Sequence, residues 1–424
     1  MLFILLATGC KDEKDPIMSM LEISIDKAEF KSEKSSIDVN ITSNVRWTVD
    51  SENGWIACSE PYGEENKTIT LTADENIYPG TRTDKVTIST VDGREVRTID
   101  IIQSGSENTE STVHKLPVVF QVIYNDQNDN KQYITESTLH EILSEVNELY
   151  HTAAPDFKIE FIPATVAPNG SRMAEPGVNR THVDMKKINH SKFMGYTKFD
   201  AGAYKKIIWN PERYINICLY NFSDDNVSGI ACMPYVYEGN TIPGLEVISA
   251  GETVESIKFN YCVSINSSNI LNRKKEGVYR KADIAGTIAH ELGHYMGLFH
   301  VFGENHKGWP TDKDTDHCED TPTYNRKTYL KSISDYVKEL TTLTKENMDF
   351  LTKRVNSLTK EEFTSENIMD YYYTWRNRFS AQQVERMKFV LNNSPFMPGA
   401  DYRAKTKATV TSNTELRPKT IECR

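Results

Sequence analysis

The stretch His290-Glu291-Leu292-Gly293-His294-Tyr295-Met296-Gly297-Leu298-Phe299-His300 constrains this chain more than any other. His290 and His294 are four residues apart, so on a helix both project from one face, one turn above the other. Their ring nitrogens can then meet one zinc ion at about 2.0–2.1 Å. Glu291 sits beside the first ligand, where its carboxylate reaches a metal-held water without occupying the metal. A helix continued straight on would carry residue 300 about 9 Å beyond residue 294. Gly297 offers the escape. A glycine in the left-handed conformation ends the helix and turns the chain back, letting His300 close on the same ion. Three histidines leave the fourth position to solvent, which is the arrangement of a catalytic rather than a structural zinc.

Size and charge set the remaining bounds. At 424 residues the chain exceeds one hydrophobic core, so two or three domains are expected. With 49 basic and 60 acidic residues the net charge is −11, which argues against nucleic acid as a partner. No apolar run approaches the roughly 20 residues of a membrane-spanning helix.

The chain opens Met-Leu-Phe-Ile-Leu-Leu-Ala-Thr-Gly-Cys and turns polar at Lys11-Asp12-Glu13-Lys14-Asp15. The apolar core at residues 2–7, followed by Thr8 and Gly9 ahead of Cys10, resembles a bacterial lipobox. The resemblance implies a lipid anchor in the membrane on Cys10. The Lys-Asp-Glu run is similar to the export signal of Bacteroidetes surface lipoproteins, implying an outer-membrane, surface-exposed location. The other cysteines, Cys58, Cys218, Cys232, Cys262, Cys318 and Cys423, are too sparse for a disulfide scaffold, and spacing does not choose among their pairings.

Residues 21–105 read as short strands. Ile37, Val39 and Ile41 alternate with polar neighbours, as do Ile69 with Leu71 and Ile99 with Ile101, and turn signals separate the runs. About seven short strands in such a length predict a β-sandwich, with Trp47 and Trp55 in its core. Ser43-Asn44 before Trp47, Asn53-Gly54-Trp55-Ile56, Asn76 before Arg82, and Ile101-Ile102-Gln103 resemble the BACON domain. That resemblance implies an immunoglobulin-like fold, with carbohydrate as a weak partner expectation. A polar linker follows at residues 106–115. Next come a buried strand over 117–124, a helix carrying Leu139, Ile142, Leu143, Val146 and Tyr150 with Thr135 as N-cap, and strands at 157–161 and 214–220. This order predicts an α+β layered domain over 116–400. Residues 401–424 carry no readable motif, and no latency segment stands out.

A second signature lies downstream. Asn367-Ile368-Met369-Asp370-Tyr371 resembles the Met-turn of the metzincin metallopeptidases, the family in which the extended histidine pattern occurs. Within it, Gly297-Leu298-Phe299-His300-Val301-Phe302, Glu319-Asp320-Thr321-Pro322 and the stretch from Phe379 through Met387 are similar to the pappalysin branch. The arrangement from lipobox to Met-turn is similar to a family of Bacteroides zinc-dependent metalloproteinase lipoproteins, a resemblance that covers roughly residues 115–395. The resemblance implies zinc held by His290, His294 and His300, Glu291 as general base, Met369 as the floor of the site, and Tyr371 near the metal as ligand or oxyanion donor. Ser380 and Gln383 form a capping box. The stretch 329–363 reads as inserted amphipathic helices packed on the lower part of the domain.

Between the motifs, Asp312, Asp314, Asp316, His317, Glu319 and Asp320 crowd one loop. Hard oxygen ligands and the pappalysin likeness make calcium a second cofactor expectation there, although the spacing is not that of an EF-hand. The combined expectation is a two-domain chain: signal and tether over 1–20, an all-β immunoglobulin-like sandwich over 21–105, the metzincin-type zincin domain over 116–400, and a tail over 401–424. Its function is zinc-dependent hydrolysis of peptide bonds in extracellular proteins. The alternative is a lipid-anchored surface protein that binds glycan or host protein through the sandwich, beside a catalytically silent zinc domain.

Overall fold

The computed structural model describes residues 18–51, 55–76, 81–105, 113–195, 204, 206–239, 241–249, 252–273, 275, 279, 283–305, 308–398, 416 and 418–423. Cys10, and with it the lipid-anchor expectation, lies outside these residues, as do most of the linker and most of the 401–424 tail. The described residues form two compact units. One comprises the residues up to Glu75, with Thr81–Ser104 and Asn169–Ser171, and the rest form the other.

The smaller unit is all β. Its strands are β1 (Leu21–Ile23), β2 (Lys27–Phe30), β3 (Ser35–Ser43), β4 (Trp47–Ser51), β5 (Ile56–Cys58), β6 (Tyr62–Gly63), β7 (Lys67–Ala73), β8 (Arg82–Thr90) and β9 (Val96–Gln103). They form one sheet ordered β1-β3-β7-β5 and another ordered β2-β9-β8-β4-β6. The period-two pattern decides which side chains enter: Val39, Ile41, Ile69 and Leu71 from the first sheet meet Val49, Val86, Ile88, Ile99 and Ile101 from the second in one apolar core. Trp47 is fully enclosed, and its indole N–H, which burial would otherwise orphan, donates to the Glu65 carbonyl at 2.9 Å. Trp55 is only partly buried, and the Arg82 guanidinium stacks 4.3 Å above its ring.

The larger unit is mixed α/β. Its sheet runs β11 (Ile159–Pro163), β10 (His114–Tyr124), β13 (Ile215–Tyr220), β17 (Val263–Asn266), β14 (Gly229–Cys232) and β20 (Thr420–Cys423), with β12 (Val178–His182) sharing β10's edge beyond β11. The strands β10, β11, β12, β13 and β17 pair in parallel; β14 pairs antiparallel with both β17 and β20. Short pairs β15 (Tyr235–Tyr237) with β16 (Glu246–Ile248), and β18 (Lys353–Val355) with β19 (Glu362–Thr364), lie outside this sheet.

Helix α1 (Glu136–Ala153) starts at Thr135, whose side chain accepts from the Thr138 N–H, and buries Leu139, Ile142, Leu143, Val146 and Tyr150 at helical spacing. The Tyr150 hydroxyl donates to the Ala289 carbonyl at 3.0 Å, tying α1 to the helix that carries the histidines. The insertion forms α4 (Arg326–Glu339) and α5 (Lys345–Leu351), following a short α2 (His190–Phe193) and the histidine-bearing α3 (Ile284–Tyr295). Tyr329, Ile333, Met348 and Leu351 pack with Phe302, Tyr324 and Tyr371, so these two helices build a satellite core against residues 371–373. The Ser380–Gln383 capping box opens α6 (Ala381–Asn393) as expected.

The acidic loop does not gather its carboxylates around a common point. Asp316 accepts from the Cys318 N–H and the Thr321 hydroxyl, Asp320 accepts from the Ser380 hydroxyl and the Gln382 N–H at the start of α6, and Asp312 accepts from Asn325 and Ser357. Among the described residues no metal-competent trio of side chains falls in this loop. The calcium expectation therefore finds no support: these oxygens serve as caps and staples. No disulfide forms among the described cysteines, and Cys58, Cys218, Cys232, Cys262, Cys318 and Cys423 are all buried.

Trp47→Ala is expected to cost about 3–5 kcal/mol in denaturant unfolding of the smaller unit, through lost burial and the cavity left behind; an unchanged midpoint contradicts the packing described. Burial pushes the Asp316 carboxyl up to about 7 against its hydrogen bonds from Thr321 and Cys318. Its charged form therefore opposes folding, increasingly as pH rises from the ordinary value of 3.8 to about 7. Thermal melts of Asp316→Asn should gain on the parent across that window and run parallel to it above. A constant difference from pH 4 to 8 contradicts this.

Candidate metal centre

Every residue of α3 is buried, consistent with the apolar run Ile284-Ala285-Gly286-Thr287-Ile288-Ala289 that precedes the motif. Asp283 caps the helix by accepting from the Gly286 N–H at 2.7 Å. At the other end the helix stops where the glycine demands it. Gly297 has φ +90°, the Leu298 N–H returns to the Gly293 carbonyl at 2.9 Å, and the Gly297 N–H returns to the His294 carbonyl at 2.9 Å. That pair of bonds is a Schellman turn. The Arg386 guanidinium on α6 grips it from outside, donating to the Gly297 carbonyl at 2.5 Å and to the Pro243 carbonyl at 2.7 Å.

The turn brings the three imidazoles together. His294 Nε2 lies 3.1 Å from His290 Nε2 and 3.1 Å from His300 Nε2. The opposite nitrogens face acceptors: His290 Nδ1 the Ile368 carbonyl at 2.8 Å, His294 Nδ1 the Leu298 carbonyl at 2.7 Å, and His300 Nδ1 the Glu304 carboxylate at 2.8 Å. In a neutral ring facing such an acceptor the proton sits on Nδ1, which leaves Nε2 its lone pair. Three lone pairs thus face one another inside a pocket where the rings are at most 4% exposed. Burial, and then the other rings' charge, hold His290 and His294 well below the ordinary histidine range, so they stay neutral as ligands must be. Nitrogens about 2.0–2.1 Å from one ion at tetrahedral angles stand about 3.3 Å apart. The residues fit zinc.

Glu291 is completely buried, and neither carboxylate oxygen has a protein hydrogen-bond partner. Burial, reinforced by the charge of Glu422, raises its pKa well above the usual carboxylate range. It lies against β14, where a Cβ at Gly229 would fall 2.7 Å from Oε1. Met369 packs beneath the helix, so close to Gly293 that a Cβ there would meet its sulfur at 2.3 Å. The Tyr371 ring stands 4.4 Å from the His300 ring and 5.5 Å from that of His290, and its hydroxyl donates to the Glu422 carbonyl. Burial keeps that hydroxyl protonated. All six residues singled out by sequence therefore meet in one place.

Several partners escaped the sequence reading. Glu304 orients His300; burial works to raise its carboxyl, but His300 and Arg326 outweigh this and hold it below the ordinary range. A carboxylate four residues past a ligand histidine was the available signal. Asp370 and Arg354, both buried, anchor the segment around Met369: Asp370 accepts from the Tyr324 hydroxyl at 2.6 Å and from Ser365, and Arg354 donates to the Leu351 and Tyr373 carbonyls. Cys423 also reaches the site. Its sulfur, a His290 nitrogen and a Glu291 oxygen lie within 4.8 Å of one another. Nothing in local sequence marks a residue so distant along the chain.

Known proteins resemble the chain in the same places. Residues 198–392 match the peptidase family M43 model described as pregnancy-associated plasma protein-A, and residues 20–105 match the viral BACON domain model. An extracellular metalloprotease of Arthroderma benhamiae and another of Trichophyton verrucosum are each 31% identical over 130 residues, 30% of this chain and 35% of theirs. The chain thus spans about a third of the length of the curated relatives it matches. Among solved structures, a Bacteroides ovatus GH5 xyloglucanase aligns at 12% identity, 49% of this chain and 56% of that one, with a TM-score of 0.20. A Bacteroides thetaiotaomicron protein aligns at 14% identity over 24% of this chain and 100% of its own, with a TM-score of 0.17. Likeness that low carries no argument. By sequence, then, residues 198–392 are similar to M43 peptidases and residues 20–105 to the BACON domain.

Proposed function

We propose that the chain is a zinc-dependent endopeptidase acting on extracellular proteins. One observation carries the reading: three imidazoles, each facing an acceptor at Nδ1, aim Nε2 at a common point beside an unpartnered buried carboxylate. In this reading His290, His294 and His300 hold the ion. Zinc bound there supplies Lewis acidity and an acidified water. Glu291 accepts the proton of the attacking water and passes it to the departing amine, a role suited to a carboxylate with no protein hydrogen-bond partner. The Tyr371 hydroxyl, held protonated, donates to the oxyanion that develops on the scissile carbonyl. Met369 floors the ligand helix, and Glu304 fixes the His300 tautomer.

The division into an immunoglobulin-like sandwich over 21–105 and a metzincin-type domain over 116–400 belongs to the same proposal. It is supported by the two facing sheets and by the histidine helix, glycine turn and Met-turn. Surface display through a lipid on Cys10 is proposed from the opening ten residues alone; the relatives named extracellular support only a location outside the cell.

Glu291→Gln should retain stoichiometric zinc and lower kcat/KM on a quenched peptide or casein by about 10²–10⁴-fold. Parent-like turnover, or parent cleavage indifferent to 1,10-phenanthroline, sinks the hydrolytic reading. Glu304→Gln should weaken zinc binding by about 10–100-fold in a chelator-competition titration while leaving the melting temperature of metal-free protein nearly unchanged; equal affinity contradicts its orienting role.

A further inference from the structure

The function proposed above needs an extended peptide beside Glu291, and the sheet offers one place for it. Strand β14 passes the Glu291 carboxylate at Gly229, with one edge bonded to β17 and the other leading to residues beside His290 and Glu291. An extended chain reaches such a site by adding to the open edge of the sheet. That edge carries β20, in antiparallel register Gly229↔Cys423, Ile230↔Glu422, Ala231↔Ile421 and Cys232↔Thr420.

The pairing is extended at both ends. The Ser228 N–H donates to the Cys423 carbonyl and the Met233 N–H to the Lys419 carbonyl, each at 2.8 Å. Two side chains fasten the strand: Glu422 meets His190 Nε2 at 3.2 Å, and the Lys419 ammonium donates to the Gly244 carbonyl at 2.5 Å. The Glu422 carbonyl takes the hydroxyl of Tyr371, the same group that the proposed mechanism directs at a substrate carbonyl. One residue on, the Cys423 sulfur comes within 4.8 Å of a His290 nitrogen and a Glu291 oxygen. A thiolate is a strong zinc ligand, and ligation displaces the thiol proton.

We propose that the segment Lys419–Cys423 is an intramolecular latch. It lies on β14 where substrate must lie, occupies the Tyr371 hydroxyl, and presents the Cys423 thiol to the metal as the ligand that takes the place of solvent, its proton passing to bulk water. Three separate recognition elements of the site are occupied by five consecutive residues of the chain itself. The open enzyme is the form in which this segment is displaced or cut away. This inference rests on the zinc-peptidase reading and is tested so that the two can fail separately.

The experiment uses cobalt(II) in place of zinc in the full chain, in Cys423→Ser, and in a variant lacking residues 416–424. The full chain should show a near-ultraviolet thiolate-to-cobalt absorption band that Cys423→Ser loses. Both variants should cleave a quenched peptide faster, with kcat/KM up by about tenfold or more, because apparent affinity falls with the fraction of closed molecules. Bound cobalt without that band, together with parent-like turnover in Cys423→Ser, overturns the latch and leaves the metal site standing. If no cobalt is taken up at all, the metal site falls and the latch with it. Should the shortened variant fail to fold, the spectrum and turnover of the full-length serine variant decide alone.

Discussion

Imidazole lone pairs pointed at one another repel, as His294 Nε2 does at 3.1 Å from the Nε2 atoms of both His290 and His300, and in a buried pocket no solvent relieves them. The arrangement persists because each ring is held from behind. Two of the acceptors are backbone carbonyls, at Leu298 in the turn and at Ile368, and the third is Glu304. Much of the larger unit serves these three bonds. The Schellman turn at Gly297 places the Leu298 carbonyl, and Arg386 braces that turn from α6. The Asp370–Tyr324–Ser365 cluster and Arg354 fix the segment that carries Ile368. A cation is what converts this convergence of lone pairs from a cost into a binding site.

The electrostatics around that point are arranged with opposing signs. Burial keeps His290 and His294 neutral and therefore able to ligate, while it drives Glu291 towards the protonated form. Glu291 is thus the group most sensitive to what enters the site: a nearby dication favours its ionised form, and a nearby carboxylate such as Glu422 disfavours it. A base of this kind changes its proton affinity when the cleft changes occupant, which is the property a proton shuttle needs. The same logic makes β20 more than an edge strand, since it brings a carboxylate, a carbonyl and a thiol into the region where a substrate would be handled.

Local rules made much of this legible from sequence. The four-residue spacing of His290 and His294 and the glycine after Met296 specify helix, stop and return, because helical period and left-handed φ leave little alternative. Alternation in Val39-Asn40-Ile41 and Ile69-Thr70-Leu71 placed the sandwich core, and Thr135 and Ser380 marked helix starts through their capping bonds. What stayed hidden depends on tertiary approach. Glu304, Arg354 and Arg386 act through partners far away or in irregular backbone, where periodicity is silent. The acidic loop misled for the opposite reason: its composition suits calcium, yet Asp312, Asp316 and Asp320 are engaged by local N–H and hydroxyl donors. The role of β20 was invisible because pairing with β14 joins residues nearly two hundred positions apart in sequence.

The central claim is that His290, His294 and His300 share one ion. Anomalous diffraction from crystals of the protein as purified, collected on either side of the zinc absorption edge, addresses it without reference to activity. The account predicts one peak, present above the edge and absent below it, about 2.0–2.1 Å from all three Nε2 atoms. A map with no such peak, or one in which His300 points away from the ion that the other two hold, contradicts it.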